Sequence, residues 1–113
     1  MAVVDQLLKA SQEIWEKYYT HPLIRGIQTG DLPKEKFCYY ILQDYLYLEE
    51  YEKVFAIGLA KATHPEVKHH YIHTITEVEM AIHRRYMQKL GITQEAIQHT
   101  PRALGNLSYT SFI

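Results

Sequence analysis

The chain has 113 residues, 47% of them apolar, and a formal net charge of −1, with a pI near 6.6; this suits one small soluble domain or a piece of a larger one. Acidic and basic residues are interspersed, so the cationic surface that sequence-independent phosphate binding or membrane anchoring requires is lacking, and neither nucleic acid nor membrane is an expected partner. No run reaches the ~18 apolar residues of a spanning helix, and the opening "MAVVDQLLKASQEIW" turns amphipathic at once, which leads to the expectation of a cytoplasmic protein. The single cysteine, Cys38, cannot form an internal disulfide and agrees with a reducing compartment.

In chain order, Val4, Leu7, Leu8, Ile14, Trp15 and Tyr18 follow helical spacing and predict a first amphipathic helix over 3–19, stopped by Thr20, His21 and Pro22. The segment "HPLIRGIQTGDLP" carries two prolines and two glycines with little periodicity. It reads as an ordered connector ending where Pro33 opens the next helix. That second helix is predicted over 33–62 and would extend ~40 Å. From Tyr39 to Leu48 it is apolar on nearly every side, the pattern of a helix enclosed by others. Pro65 opens a third helix, on which Val67, Tyr71, Ile75, Val78, Ile82, Tyr86 and Leu90 form one stripe and which Gly91 caps. Thr93 begins a short helix to about Gln98, and Pro101 breaks it. The closing "NLSYTSFI" reads as one more start, with Asn106 or Ser108 as N-cap. Tyr109, Phe112 and Ile113 would then lie on a helix too short to be stable unaided, so a longer parent sequence is expected. No alternating strand pattern competes, and the expected fold class is all-α, with 1–113 forming a single incomplete helical domain.

The run "YYILQDYLYLEEY" sets five of the chain's ten tyrosines around one aspartate. Tyr40, Asp44, Tyr47 and Tyr51 stand three or four residues apart and share one face of the second helix, with Leu48 beside them. Burying an ionised carboxylate without partners costs several kcal/mol, so Asp44 must be hydrogen-bonded, protonated or matched to a ligand. One reading gives it a tyrosine hydroxyl or a backbone amide as an internal partner. The other makes it a pocket wall, accepting hydrogen bonds from a flat, amine-bearing heterocycle such as an aminopyrimidine while tyrosine rings cover the faces.

Other candidates point to structure. His69, His73 and Glu77 have spacing that can hold a metal, yet they lie about 200° from the apolar stripe on a 3.6-residue helix, where a solvated face or a helix contact is the default and no metal is expected. Glu79 and His83 border the stripe, and a hydrogen bond between them is expected. Cys38 lacks a histidine spaced to act as its base and reads as a packed thiol. His21 reads as a structural residue before proline, and Glu49, Glu50, Glu52 and Lys53 as a solvated patch.

Taken together, "HPLIRGIQTGDLPKEKFCYYILQDYLYLEEY", "AKA" at 60–62, "EVEMAIH" at 77–83 and "SYTS" at 108–111 resemble the thiaminase II, or TenA, family of the heme-oxygenase-like helical superfamily. The elements occur in the family's order and spacing across essentially the whole chain, and the Gln-Asp-Tyr core in its Leu-Pro-x-x-x-Phe context is the most specific of them. The resemblance implies the N-terminal half of a heme-oxygenase-like helical bundle. It also implies that Asp44 binds the amino group and ring nitrogen of an aminopyrimidine, that Tyr47 lies against the ring, and that Tyr109 belongs to the pocket, with Tyr40 and Tyr51 as further wall.

Members of that family cleave thiamine, or hydrolyse its aminopyrimidine breakdown products, to release hydroxymethylpyrimidine for salvage. They need no cofactor and assemble as homotetramers. Their cysteine nucleophile and their glutamate acid and base lie in the second half of a chain of about 220 residues, roughly twice this one. The resemblance therefore places no catalytic residue in this sequence, and the chain alone is expected to be inactive. The turn "GIQTG" departs from a Gly-Asp-Gly pattern common in the family. Two further functions compete with the enzyme reading: a non-catalytic oligomeric binding or regulatory module, and a metal-dependent oxidase of the same superfamily.

Overall fold

The computed structural model describes residues 2–76 and 80–113, and every regular element among them is an α-helix. The chain divides into two compact units, residues 1–36 and 37–113.

In the first unit the predicted helix over 3–19 is two helices, α1 (Val3–Ala10) and α2 (Gln12–Tyr19). Ser11 separates them. Its backbone sits at φ −102°, ψ 7°, and its hydroxyl donates to the Leu7 carbonyl at 2.8 Å. A serine that bonds back to the preceding turn competes with the helix ladder and bends or breaks it. The segment expected as a connector contains a third helix, α3 (Pro22–Thr29). The residues that read as breakers are its boundaries: Pro22 occupies the first turn, where its missing N–H has no consequence, and Gly30 closes the helix at φ 76° in the left-handed region. His21 is the N-cap, its Nδ1 accepting from the Leu23 amide at 3.1 Å. No residue of α1 to α3 is buried.

The second unit is organised by α4 (Lys34–Lys61). Ile41, Tyr45 and Leu48 form its buried stripe and meet Met87 and Ile97 in a small core, flanked by Phe37, Leu46, Leu90 and Ile92 among others. The expectation of a helix enclosed on all sides holds only for this stripe. Tyr39 is 56% exposed, and Leu42, Leu46 and Tyr47, which pack against the core, are half-buried.

The described parts of the predicted third helix are helical, α5 (Pro65–Thr76) and α6 (Met80–Leu90); Val78 of its stripe lies outside the described residues. The face that is buried differs from the apolar one expected. Val67, Ile82 and Tyr86 are exposed, whereas His83 and Met87, four residues apart, face the core. The end of α6 explains part of this. Gly91 at φ 74° allows the Ile92 amide to reach the Met87 carbonyl at 2.9 Å and its own amide to reach that of Gln88 at 3.2 Å. This is a Schellman closure, and its hydrophobic contact between Met87 and Ile92 belongs to the core.

Next comes α7 (Gln94–His99), which the sequence starts at Thr93; Thr93 is its N-cap, the hydroxyl accepting from the Ala96 amide at 3.1 Å. The last helix, α8 (Leu104–Phe112), begins earlier than expected and takes Ala103, not Asn106 or Ser108, as N-cap. Alanine offers no side-chain acceptor to the first amides of the helix; Gln43 Oε1 instead accepts from the N–H of Ala103 itself at 2.8 Å and holds the chain where α8 begins.

Leu48, 7% exposed, fills the centre of this core, so Leu48→Ala is expected to destabilise the fold by about 2–5 kcal/mol through the lost contacts and the cavity. Phe55 is half-buried, and Phe55→Ala is expected to have a smaller effect, about 1–2 kcal/mol. Equilibrium unfolding in urea measures both; an unchanged midpoint for Leu48→Ala would remove the claim that α4 carries the core.

Candidate ligand-binding site

Because α4 turns once every 3.6 residues or so, Tyr40, Gln43, Asp44 and Tyr47 lie on one side of it. Together with Asn106 of α8 they line a pocket of about 220 Å³. Ligand pockets are typically about 300–1,000 Å³, so these residues amount to one wall of such a site.

Asp44 reaches the pocket with an internal partner already in place. His83 of α6, 8% exposed, lies with its Nε2 2.6 Å from the Asp44 Oδ2. Among the described residues the partner of Asp44 is therefore this histidine and not a tyrosine hydroxyl or a backbone amide; Glu79, the expected partner of His83, lies outside them. An ionised carboxylate has roughly four acceptor positions. One short bond from a histidine N–H therefore leaves it able to accept more.

The aromatic residues form a connected series. Tyr47 stacks on Tyr51 at 5.4 Å between centroids and leans on Tyr109 at 5.7 Å, and Tyr51 meets Phe55 edge-on at 4.7 Å. Tyr40 and Tyr47 thus line the pocket directly, while Tyr51 and Tyr109 support the Tyr47 ring. Burial pushes the Tyr47 hydroxyl up to about 12; the neighbouring Tyr109 and Tyr51, a hydrogen bond with Tyr109 and the charge of Asp44 act in the same direction.

Gln43 and Asn106, which sequence reasoning did not single out as pocket residues, hold the wall together. The Gln43 side chain donates to the Pro101 carbonyl at 3.1 Å while accepting from Ala103. Asn106 Nδ2 donates to the Gln43 carbonyl at 2.8 Å and to its Oε1 at 3.2 Å. The start of α8 is thereby fixed to α4, which sets where Tyr109 meets Tyr47. Beyond this cluster, Lys53 holds the Glu50 carboxyl below its usual range through a 2.8 Å hydrogen bond. Arg102 stands 3.7 Å from the same carboxylate and donates to Thr110 at 3.1 Å, so Glu50 does more than face solvent.

No group of three His, Cys, Asp or Glu side chains among the described residues is placed to hold a metal ion; Glu77, the third member of the spacing that starts at His69, lies outside them. Cys38 is a half-buried thiol on α4 and does not line the pocket. None of the described helices is long and apolar enough to cross a membrane.

This carboxylate-and-tyrosine wall on an all-α scaffold can be compared with known proteins. The sequence profile of the TENA/THI-4/PQQC family matches residues 8–113, and the chain belongs to that family. It is 41% identical to an aminopyrimidine aminohydrolase of Helicobacter pylori, over 100% of this chain and 54% of that protein. With an aminopyrimidine aminohydrolase of Halalkalibacterium halodurans it shares 37% identity, over 100% of this chain and 52% of that protein. A crystal structure described as a TenA family transcription regulator, from Silicibacter sp. TM1040, superposes with a TM-score of 0.90 at 27% identity, covering 98% of this chain and 51% of that one. The chain spans about half the length of the relatives it matches. The fold is accordingly half of the heme-oxygenase-like bundle expected from the sequence.

The raised Tyr47 hydroxyl has a consequence for alkaline stability. Folding favours the neutral phenol, so this contribution is fully present below pH 10 and is lost as pH rises from there through about 12. Phenolate absorbance of the folded protein, compared with that of Tyr47→Phe, should show Tyr47 titrating in the highest phase, and Tyr109→Phe should lower that phase. A Tyr47 midpoint at the ordinary value of 10.0 would contradict the packing described.

Proposed function

We propose that the chain is the aminopyrimidine-recognising half of a thiaminase II, an aminopyrimidine aminohydrolase acting on thiamine or its breakdown products to give hydroxymethylpyrimidine in thiamine salvage. The observation that carries this reading is Asp44, a carboxylate on the wall of a pocket that Tyr40 and Tyr47 also line. Its relatives' activity supports the same reading. A carboxylate only accepts hydrogen bonds when ionised, and an aminopyrimidine edge presents an exocyclic amine that must donate. The flat ring needs apolar cover on its faces, which Tyr47, held by Tyr51 and Tyr109, can give.

In this reading Asp44, Tyr47 and Tyr109 bind and orient the substrate, with Tyr40 and Tyr51 as wall. Opening the pyrimidine ring by covalent catalysis needs an activated nucleophile. Cys38 does not line the pocket, so in this reading it is not that nucleophile. No cofactor enters the scheme. Association into a homo-oligomer, a tetramer by resemblance to the family, belongs to the same proposal, as does a cytoplasmic location. Val3, Leu7, Leu8, Leu104 and Phe112 are exposed apolar residues of the kind that such an assembly covers.

Asp44→Asn keeps size and shape, and its remaining oxygen can still accept from His83, but it presents a donor where the amine needs an acceptor. Hydroxymethylpyrimidine binding should weaken by about 1.5–3 kcal/mol, the usual worth of a hydrogen bond to a charged group, with little change in melting temperature. Calorimetric titration of both proteins measures this. Equal affinity together with a lowered melting temperature would reduce Asp44 to a structural partner of His83.

A further inference from the structure

The contact between His83 and Asp44 joins a buried side chain of α6 to the one carboxylate among the described pocket-lining residues. We propose that His83 is a positioning residue, which by donating its Nε2–H to the Asp44 Oδ2 fixes the carboxylate so that its remaining acceptor capacity faces the amine of a bound aminopyrimidine. This rests on the reading of the pocket as an aminopyrimidine site and adds the residue that aims its recognition group.

Three observations support it. First, the His83 Nε2 and the Asp44 Oδ2 are in direct hydrogen-bond contact, 2.6 Å apart, and a carboxylate acceptor makes such a bond stronger than a neutral one. Second, the two groups are unequally buried: the His83 side chain is 10% exposed and that of Asp44 26%. The histidine is thus the inner, fixed member, and the carboxylate is the member that can meet a ligand. Third, both ends are anchored by the fold. Met87, one turn after His83, packs in the core with Ile41, Tyr45 and Leu48 of α4, so the distance between α6 and α4 at this level is set by packing.

An aspartate has two rotatable side-chain bonds. Without a fixed partner its carboxylate would sample rotamers that turn its oxygens away from the pocket, and ordering it would then fall to the ligand. A histidine N–H at one oxygen removes that freedom in advance and selects the Nε2–H tautomer or the imidazolium. The same arrangement discriminates between ligands. A heterocycle carrying an acceptor or a bare C–H in place of the amine would leave the remaining oxygen of a fixed carboxylate unpaired.

The test compares hydroxymethylpyrimidine with its analogue lacking the 4-amino group, titrated calorimetrically against the wild type, His83→Leu and His83→Gln. Gln can carry an N–H to nearly the Nε2 position; Leu keeps bulk without a donor. The wild type should prefer the aminated ligand by roughly 10-fold or more, His83→Leu should lose most of that preference while binding the des-amino analogue as before, and His83→Gln should recover much of it. A merely structural histidine would change both affinities alike, or only the melting temperature, and leave the ratio intact; that result overturns the proposal and spares the reading of the site. Failure of the wild type to bind either ligand overturns both.

The hydrogen bond itself is checked in the ligand-free protein, so an unstable Leu variant does not remove the test. A downfield His83 Nε2–H proton resonance should be present in the wild type and absent in Asp44→Ala. If no such resonance is present in the wild type, or if it persists in Asp44→Ala, the partner assignment is wrong.

Discussion

An acidic side chain among tyrosines must be matched before the helix that carries it can be half-buried, and the contact between Asp44 and His83 meets that requirement. Desolvating a carboxylate is expensive unless it is hydrogen-bonded, and the donor comes from another helix. The match therefore works as a tertiary constraint: α6 must stand beside α4 at the height where His83 Nε2 reaches Oδ2. The packing of Met87 against Ile41, Tyr45 and Leu48 enforces the same height by apolar contact. Polar and apolar restraints agree, which is the condition under which a buried polar pair specifies one arrangement rather than several.

The residue before Asp44 sets the other side of the site. Gln43 uses its side-chain amide and its main-chain carbonyl to hold Pro101, Ala103 and Asn106, and so fixes the chain where α8 begins. Consecutive residues of one helix point about 100° apart. Gln43 therefore engages α8 while Asp44 engages α6, and the pocket opens between the two attachments with Tyr40 and Tyr47 on its α4 side. Tyr109 comes to Tyr47 as a consequence of how α8 starts; burial, with Tyr109 and Tyr51 close by, raises the affinity of the Tyr47 hydroxyl for its proton.

Much of this was legible in the sequence, and the reasons for the rest are physical. Periodicity located α4 and α7 to within a residue or two, and helical spacing alone placed Tyr40, Asp44 and Tyr47 on one face. The break at Ser11 was not visible because a single serine interrupts no apolar pattern; it acts through a hydroxyl that bonds back to Leu7. Pro22 and Gly30 suggest an ordered connector in the sequence, whereas Pro22 opens the first turn of α3 behind the His21 N-cap and Gly30 closes its end. On α6 the apolar stripe through Ile82 and Tyr86 misled, because the buried positions are His83 and Met87, and a histidine carries no hydrophobic signal. The partner of Asp44 was invisible for the same reason: it lies 39 positions away, and spacing rules speak only of neighbours along one helix. Gln43 stood inside the Gln-Asp-Tyr core of the family signature, which was the available pointer to its role, and Asn106 was noticed only as a possible cap.

The central claim is that Asp44, aimed by His83 and flanked by tyrosines, receives the amine of an aminopyrimidine. The most direct test is a crystal structure of the protein with hydroxymethylpyrimidine. The account predicts the exocyclic amino nitrogen at about 2.7–3.2 Å from a carboxylate oxygen of Asp44, with the ring lying against Tyr47 and the contact from His83 to Asp44 retained. A ligand seated elsewhere, or seated in this pocket with its amine turned away from Asp44, would contradict it.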